Sequence, residues 1–128
     1  QLAWNGGVVE HTVFARVCAS ATCTLGLLPA RAAGATIYAS DRLWMTILAG
    51  GLYLGPWAPG LETLLLDMVH CAWYHDFEEC VRRVAWAKKA APEQARIRQQ
   101  GEAFVRAHHT YDARVPFLLA GREWVNPL

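Results

Sequence analysis

A chain of 128 residues with 54% apolar side chains has the size and composition of one folded domain with a packed core. Its formal net charge of +1 gives no electrostatic argument for nucleic acid, polyanions or a membrane surface as partner. The longest apolar run, Leu43 to Pro59, is interrupted by Gly50, Gly51, Gly55 and Pro56. It falls short of the roughly 20 residues a transmembrane helix requires, so no membrane-spanning segment is expected.

Charge is unevenly spread. Of the 12 Lys and Arg and the 11 Asp and Glu residues, only Glu10, Arg16, Arg31, Asp41, Arg42 and Glu62 fall in residues 1–64. The first half therefore reads as buried sheet and close turns, the second as solvated helices. Cys18, Cys23, Cys71 and Cys80 form no CxxC pair and no zinc spacing. Apolar surroundings make them reduced, buried thiols of a cytoplasmic protein. No basic-then-apolar leader opens the chain. It starts at Gln1 rather than Met, which reads as an excised domain or fragment.

Short apolar runs alternate with helical periodicity, which predicts an α/β domain with a small, mostly parallel sheet, Rossmann-like and three-layered. A first strand ends at Leu2-Ala-Trp4, before Asn5-Gly6-Gly7. A helix follows over residues 9–20, with Val13, Phe14, Val17 and Cys18 inward. Thr22 to Leu28 is a buried strand, and Pro29 to Ala35 a loop. Ser40 is the N-cap of a helix over 41–49, stopped by Gly50-Gly51. Leu52-Tyr-Leu-Gly55 is the next strand, Pro56 to Gly60 a turn-rich loop, and 61–67 a short helix. His70 to Tyr74 is another strand. Asp76 caps a helix over 77–90, with Phe77, Cys80, Val81 and Val84 on its inner face. Pro92 suits the first turn of a helix reaching Ala107, with Ile97, Gly101, Phe104 and Val105 inward. Thr110 caps a last helix, Tyr111 to Ala120, which Gly121 ends. The tail from Arg122 is a surface strap pinned by Trp124. The chain is one domain over 1–128, with 110–128 as its C-terminal helix and tail.

Two loops carry candidate chemistry. At Ser40-Asp41-Arg42, a capped helix start leaves backbone N–H groups unpaired and adds the positive end of the helix dipole, an arrangement suited to an anion. Arg42 adds a guanidinium fork for phosphate. The alternative is an ordinary cap, with Arg42 solvated or paired to Asp41. At Pro59-Gly60-Leu61-Glu62, glycine permits close approach of a ligand to the backbone. Glu62 either accepts sugar or ribose hydroxyls or serves as a stabilising first-turn acid. Both loops follow strands at the same side of the sheet, where open α/β sheets bind ligands. Trp57, beside Gly60, is the one tryptophan kept as a candidate ligand-facing aromatic, the alternative being a packed side chain; Trp44, Trp73 and Trp86 fall inside elements and read as core. Tyr111 and Arg114 read as clamps holding the last helix. The adjacent His108 and His109 point apart and do not suit a shared metal. No Walker loop, GxGxxG or Ser-His-Asp order is present.

The ordered features Ser40-x-Arg42 before a helix, Ala49-Gly50-Gly51 closing it, Pro59-Gly60-Leu61-Glu62 in the next loop and Gly101…His109-Thr110-Tyr111-x-x-Arg114 at the end resemble the group 1, spore-maturation-protein-like glycosyltransferases. That resemblance implies the C-terminal, donor-binding half of a GT-B fold, possibly truncated. The partner N-terminal Rossmann-like domain would lie outside this chain, and the isolated fragment would be inactive. It implies a nucleotide-sugar donor as substrate, no metal cofactor, and phosphate held around Ser40 to Arg42. The Gly60-Leu61-Glu62 loop would touch the sugar or ribose, and residues 111–120 would cross back to the missing domain. The chain departs from the family at Ile37 and Met45, where many relatives carry two glutamates; the second binds ribose. That departure leaves a non-catalytic interaction or nucleotide-sensing module as the alternative, marked by an apolar patch around Val115, Phe117, Leu118 and Trp124.

Overall fold

The computed structural model describes residues 10–27 and 39–128. The predicted strand at Leu2 to Trp4, the loop from Pro29 to Ala35 and Ile37 lie outside the described residues. The elements run α1 (His11–Ser20), β1 (Thr24–Leu25), α2 (Asp41–Leu48), β2 (Tyr53–Pro56), a 3-10 turn (Leu61–Thr63), β3 (Ala72–Tyr74), α3 (Phe77–Ala87), α4 (Ala91–His108) and α5 (Tyr111–Leu119). The three strands lie in the order β1-β2-β3, all parallel. This is the expected α/β, Rossmann-like arrangement, with α2 in the β1–β2 crossover and a single 3-10 turn in the β2–β3 crossover.

The pleat sorts the side chains. Thr24 pairs with Tyr53, Leu54 with Ala72 and Gly55 with Trp73. Residues level with one another share a face, and successive residues alternate. Tyr53, Cys71 and Trp73 therefore point one way, into a cluster with Leu43 and Ile47 of α2 and Val105 of α4. A second cluster joins Leu52 to Ala87 of α3 and Ile97 of α4. Strands buried on both faces are what a parallel sheet demands.

α2 packs most extensively on α4, and Gly101 makes that possible. A Cβ at this position would stand 2.3 Å from the His70 carbonyl oxygen and 3.2 Å from Ile47 Cγ2. Only a residue without a side chain lets α4 lie this close. Arg98 of the same helix reaches the segment that follows α1. It donates to the carbonyls of Ala19 (2.8 Å), Ala21 (2.6 Å) and Thr22 (2.9 Å), tying off the C-terminal end of α1.

Several elements differ from the sequence reading. β1 covers two residues rather than the predicted run, and Leu27 is exposed. Val13 and Val17 are exposed on α1, so its inward face is set by Cys18. On α3, Phe77 and Val81 are exposed and the buried residues are Cys80 and Ala87. The face that meets the sheet thus follows the 80/87 spacing, with the two bulky residues at its solvent flank. The short helix after Gly60 is a single 3-10 turn. Asp76 caps α3 as expected, accepting from Glu79 N–H at 2.7 Å. Thr110 caps α5, accepting from Ala113 N–H at 3.2 Å. All four cysteines are free thiols. Among the described residues, no helix is long and apolar enough to cross a membrane.

Candidate functional site

The carboxyl edge of the sheet is where α2 begins. Ser40 sits at the N-cap with φ −85° and ψ 156°, but its hydroxyl makes no side-chain cap bond. That leaves the first-turn amides of α2 without the partner a capping serine usually supplies. Arg42 and Asp41 are both exposed, and among the described residues neither takes part in an ion pair.

Two cavities flank this first turn. The smaller is a crevice of about 10 Å³ at the strand ends, lined by Ser40 and Leu43 of α2, Tyr53 and Pro56 of β2, Leu61 and Trp73. It has room for about one water molecule, so a larger ligand can only insert one group into it. The crevice brings together the two loops singled out in the sequence, through Ser40 and Leu61. The larger cavity is a cleft of about 620 Å³ on the outer side of α2. Asp41, Trp44, Met45 and Leu48 form one wall, at helical spacing, and His109 to Asp112 with Arg114 form the other. Its size lies within the range of small-molecule sites.

The Gly60 loop is braced from within. Gly60 adopts φ 92°, a left-handed conformation open to glycine, and heads the 3-10 turn. The Glu62 carboxylate folds back to accept the Gly60 N–H at 3.0 Å, and Thr63 Oγ1 donates to the Gly60 carbonyl at 2.6 Å. Glu62 thus serves locally as a turn clasp. The C-terminal tail adds a third brace: Asn126 Nδ2 donates to the carbonyls of Thr63 and, at 3.2 Å, Leu64. Pro59 is exposed at the rim. Trp57 lines neither cavity; its ring leans on His75 at 5.2 Å, at the end of β3.

Beneath the second wall of the cleft lies an aromatic cluster. His109 stacks on Trp44 at 4.7 Å and meets Trp124 edge-on at 5.1 Å. Arg114 lies over the Trp124 ring at 4.2 Å and donates to His109 Nδ1. A guanidinium can only donate, so Nδ1 is the bare nitrogen and the imidazole proton resides on Nε2. Burial, reinforced by the Arg114 charge, lowers the His109 pKa from the ordinary 6.5 to about 4. Arg114 and Trp124 thus clamp the chain end as the sequence suggested. Tyr111 does not: it stands in the first turn of α5 and is 88% exposed.

Tyr53 is the residue the sequence reading passed over. It is buried, and its phenol is pushed up to about 12 by burial against the opposing pull of the Arg42 charge. The available signal was Tyr53-x-Gly55: glycine two residues on, along the same strand face, clears room for a ring to lie flat. The α2–α5 cleft was legible only as the 41/44/45/48 helical stripe; its other wall comes from about 60 residues or more away in sequence.

A family model described as glycosyl transferase-like matches residues 3–120. No curated protein and no solved structure matches the chain significantly. The family match spans every described element, from α1 through α5. On that match over nearly its whole length, the chain belongs to the glycosyl transferase-like family.

Proposed function

We propose that this chain is the donor-binding domain of a GT-B glycosyltransferase, holding a nucleotide-activated sugar for transfer to an acceptor presented by a second domain. The observation that carries the reading is the position of the first turn of α2. Ser40 opens onto the crevice at the sheet edge while Asp41, the next residue, opens onto the 620 Å³ cleft. A diphosphate resting on the α2 amides, with Arg42 alongside, has its two ends directed toward two different cavities. Developing negative charge on the leaving phosphate is stabilised there by fixed N–H dipoles and a guanidinium. Met45 stands in the cleft wall where relatives carry a ribose-binding glutamate. Asp41, four residues earlier on the same helix face, supplies a carboxylate to that wall. The braced Gly60-Leu61-Glu62 loop presents backbone to the sugar side.

The test is calorimetric and thermal-shift titration of the chain with UDP, GDP, TDP and their common sugar conjugates. One nucleotide family should stabilise the fold, and Arg42→Ala should weaken that binding by about 1–3 kcal/mol, the range for a hydrogen bond to a charged group. A folded sample that responds to none of them refutes the reading. The structure also favours one alternative, a protein-interaction module, because Leu118 and Leu119 of α5 and Val125 of the tail are 77%, 82% and 75% exposed. Nucleotide silence combined with loss of protein binding on Leu118→Glu would support it.

A further inference from the structure

We propose that the α2–α5 cleft reads the base of the donor nucleotide and selects guanine through the Asp112 carboxylate. This rests on the donor-domain reading and names the nucleotide class that the reading leaves open.

Space assigns the base to the cleft. A diphosphate on the first turn of α2 has two cavities beside it. The crevice has room for about one water molecule, whereas the cleft holds about 620 Å³. Only the cleft can take a nucleoside. Its walls suit a flat ring: Trp44, Met45 and Leu48 of α2 line one side and Tyr111 of α5 the other. Trp44 is backed by His109 at 4.7 Å, so its ring is held in place. Tyr111 is exposed, which leaves its ring free to cover a base.

The polar groups of the cleft decide which base. Asp41 and Asp112 are both exposed, and among the described residues neither takes part in an ion pair. Asp41, in the first turn of α2, stands next to the diphosphate and is the acceptor for ribose hydroxyls. Asp112, in the first turn of α5, belongs to the opposite wall. The groups able to answer the carbonyls of a base are already engaged. Arg114 donates to His109 Nδ1 and, at 3.4 Å, to the His108 carbonyl, and it lies over Trp124. Thr110 Oγ1 caps α5. The cleft therefore offers a base chiefly carboxylate oxygens, which only accept.

Guanine presents two adjacent donors, its ring N1–H and its exocyclic amine, at the spacing of the two carboxylate oxygens, so the pair is bidentate. Uracil and thymine present one N–H between two carbonyls. Adenine and cytosine set a donor beside a bare ring nitrogen. Each of these turns a lone pair on the carboxylate. A second group in the cleft lining calls for the rest of the guanine edge. His109 is 9% exposed, and its Nε2–H has no hydrogen-bond partner; Asn126, whose side chain acts on the ring, leaves its own Oδ1 without one as well. Guanine carries an acceptor, O6, beside N1–H, and a buried donor gains by meeting one. An acid in the first turn of a helix also stabilises that helix, so the test reads base identity rather than stability alone.

The experiment is calorimetric titration of the wild-type chain and Asp112→Asn with the diphosphates of guanosine, inosine, xanthosine, uridine, thymidine and adenosine. GDP should bind best. Inosine lacks the exocyclic amine, so its diphosphate should bind about tenfold or more weakly, the scale of one hydrogen bond to a charged group. Asparagine offers one acceptor and one donor where aspartate offers two acceptors. Asp112→Asn should therefore lose GDP affinity by a similar factor and gain affinity for xanthosine diphosphate, which carries a carbonyl in place of the amine. Equal affinity of the wild-type chain for the guanosine and inosine diphosphates overturns the proposal, and that comparison needs no variant to fold. Tighter binding of UDP, TDP or ADP also overturns it while leaving the donor-domain reading intact. A wild-type chain that binds no diphosphate overturns both. A lowered melting temperature of Asp112→Asn with an unchanged order of preference assigns the carboxylate to the helix end alone and overturns the proposal too.

Discussion

Gly101→Ala tests the packing that positions the cleft, because two physical effects predict opposite signs for it. In an exposed helix interior, alanine is favoured over glycine by about 0.8–1.0 kcal/mol. At Gly101 the added Cβ would meet the His70 carbonyl oxygen at 2.3 Å and its carbon at 3.1 Å. The obstacle is backbone, and it is held. The His70 ring stacks on Phe104 at 4.2 Å, and its Nδ1 accepts the Leu66 N–H at 3.2 Å. Relief requires α4 to move outward by roughly an ångström, opening its contact with α2. Overpacking of this kind costs about 1–3 kcal/mol, sometimes more. It outweighs the propensity gain, and the expected outcome is a net loss of about 2 kcal/mol. For a chain of this size that is a fall of about 6–10 °C in melting temperature. The assay is urea unfolding with the slope unchanged, so that the midpoint shift reports stability. Gln99→Ala, on the exposed side of α4, is the control and should be close to neutral. A Gly101→Ala protein as stable as wild type, or more so, would show that α4 does not press on the His70 loop and refute the reasoning.

Arg98 and His109 give two further tests of the fold. Arg98→Ala leaves the carbonyls of Ala19, Ala21 and Thr22 without their shared donor and should cost about 2 kcal/mol in urea unfolding, with Arg98→Lys recovering only part because an ammonium lacks the planar fork. An Arg98→Ala midpoint equal to wild type would show that α1 is held by other contacts. His109 predicts the pH profile: its folded pKa of about 4 lies below the ordinary 6.5, so between these values the unfolded chain binds the proton and the folded one does not. Stability is therefore full above about pH 6.5 and falls as pH drops toward 4. His70, lowered by burial, acts in the same direction. His109→Gln should flatten part of that fall, whereas parallel pH profiles for the two proteins would exclude His109 as a contributor.

Much of the fold was legible because it rests on local rules. Ser40, Asp76 and Thr110 mark helix starts by their residue type, Gly50-Gly51 and Gly121 mark stops, and the two longer strands are short apolar runs between turn residues. What the sequence did not show was which side of an apolar helix meets a neighbour. Val17 and Val81 lie next to buried Cys18 and Cys80, and Phe77 one turn before Cys80, yet all three remain exposed. Periodicity gives the direction of a face to within about one residue, and tertiary packing decides the rest. Tyr111 was misplaced for a related reason. The cap at Thr110 fixes where α5 begins, but the angle at which it leaves α4 is set by Arg114 and Trp124, which come later in the chain.

The site was legible as loops but not as cavities. Ser40 and Gly60 could be read as helix-start and turn signals, and the parallel α/β pattern sends both to the same sheet edge. The depth of that edge depends on Tyr53 lying across Gly26 and Gly55, a relation between two strands that no single segment reveals. The bracing of the Gly60 turn likewise needs Asn126, which is 62 residues from Leu64. This long-range brace links the two halves of the site. The tail that carries Trp124 onto His109, behind one wall of the cleft, continues to Asn126 on the Thr63 and Leu64 carbonyls, behind the loop at the sheet edge. Displacing α5 would pull on one chain segment that touches both walls. The same tail segment therefore braces both the aromatic cluster behind α5 and the Gly60 loop.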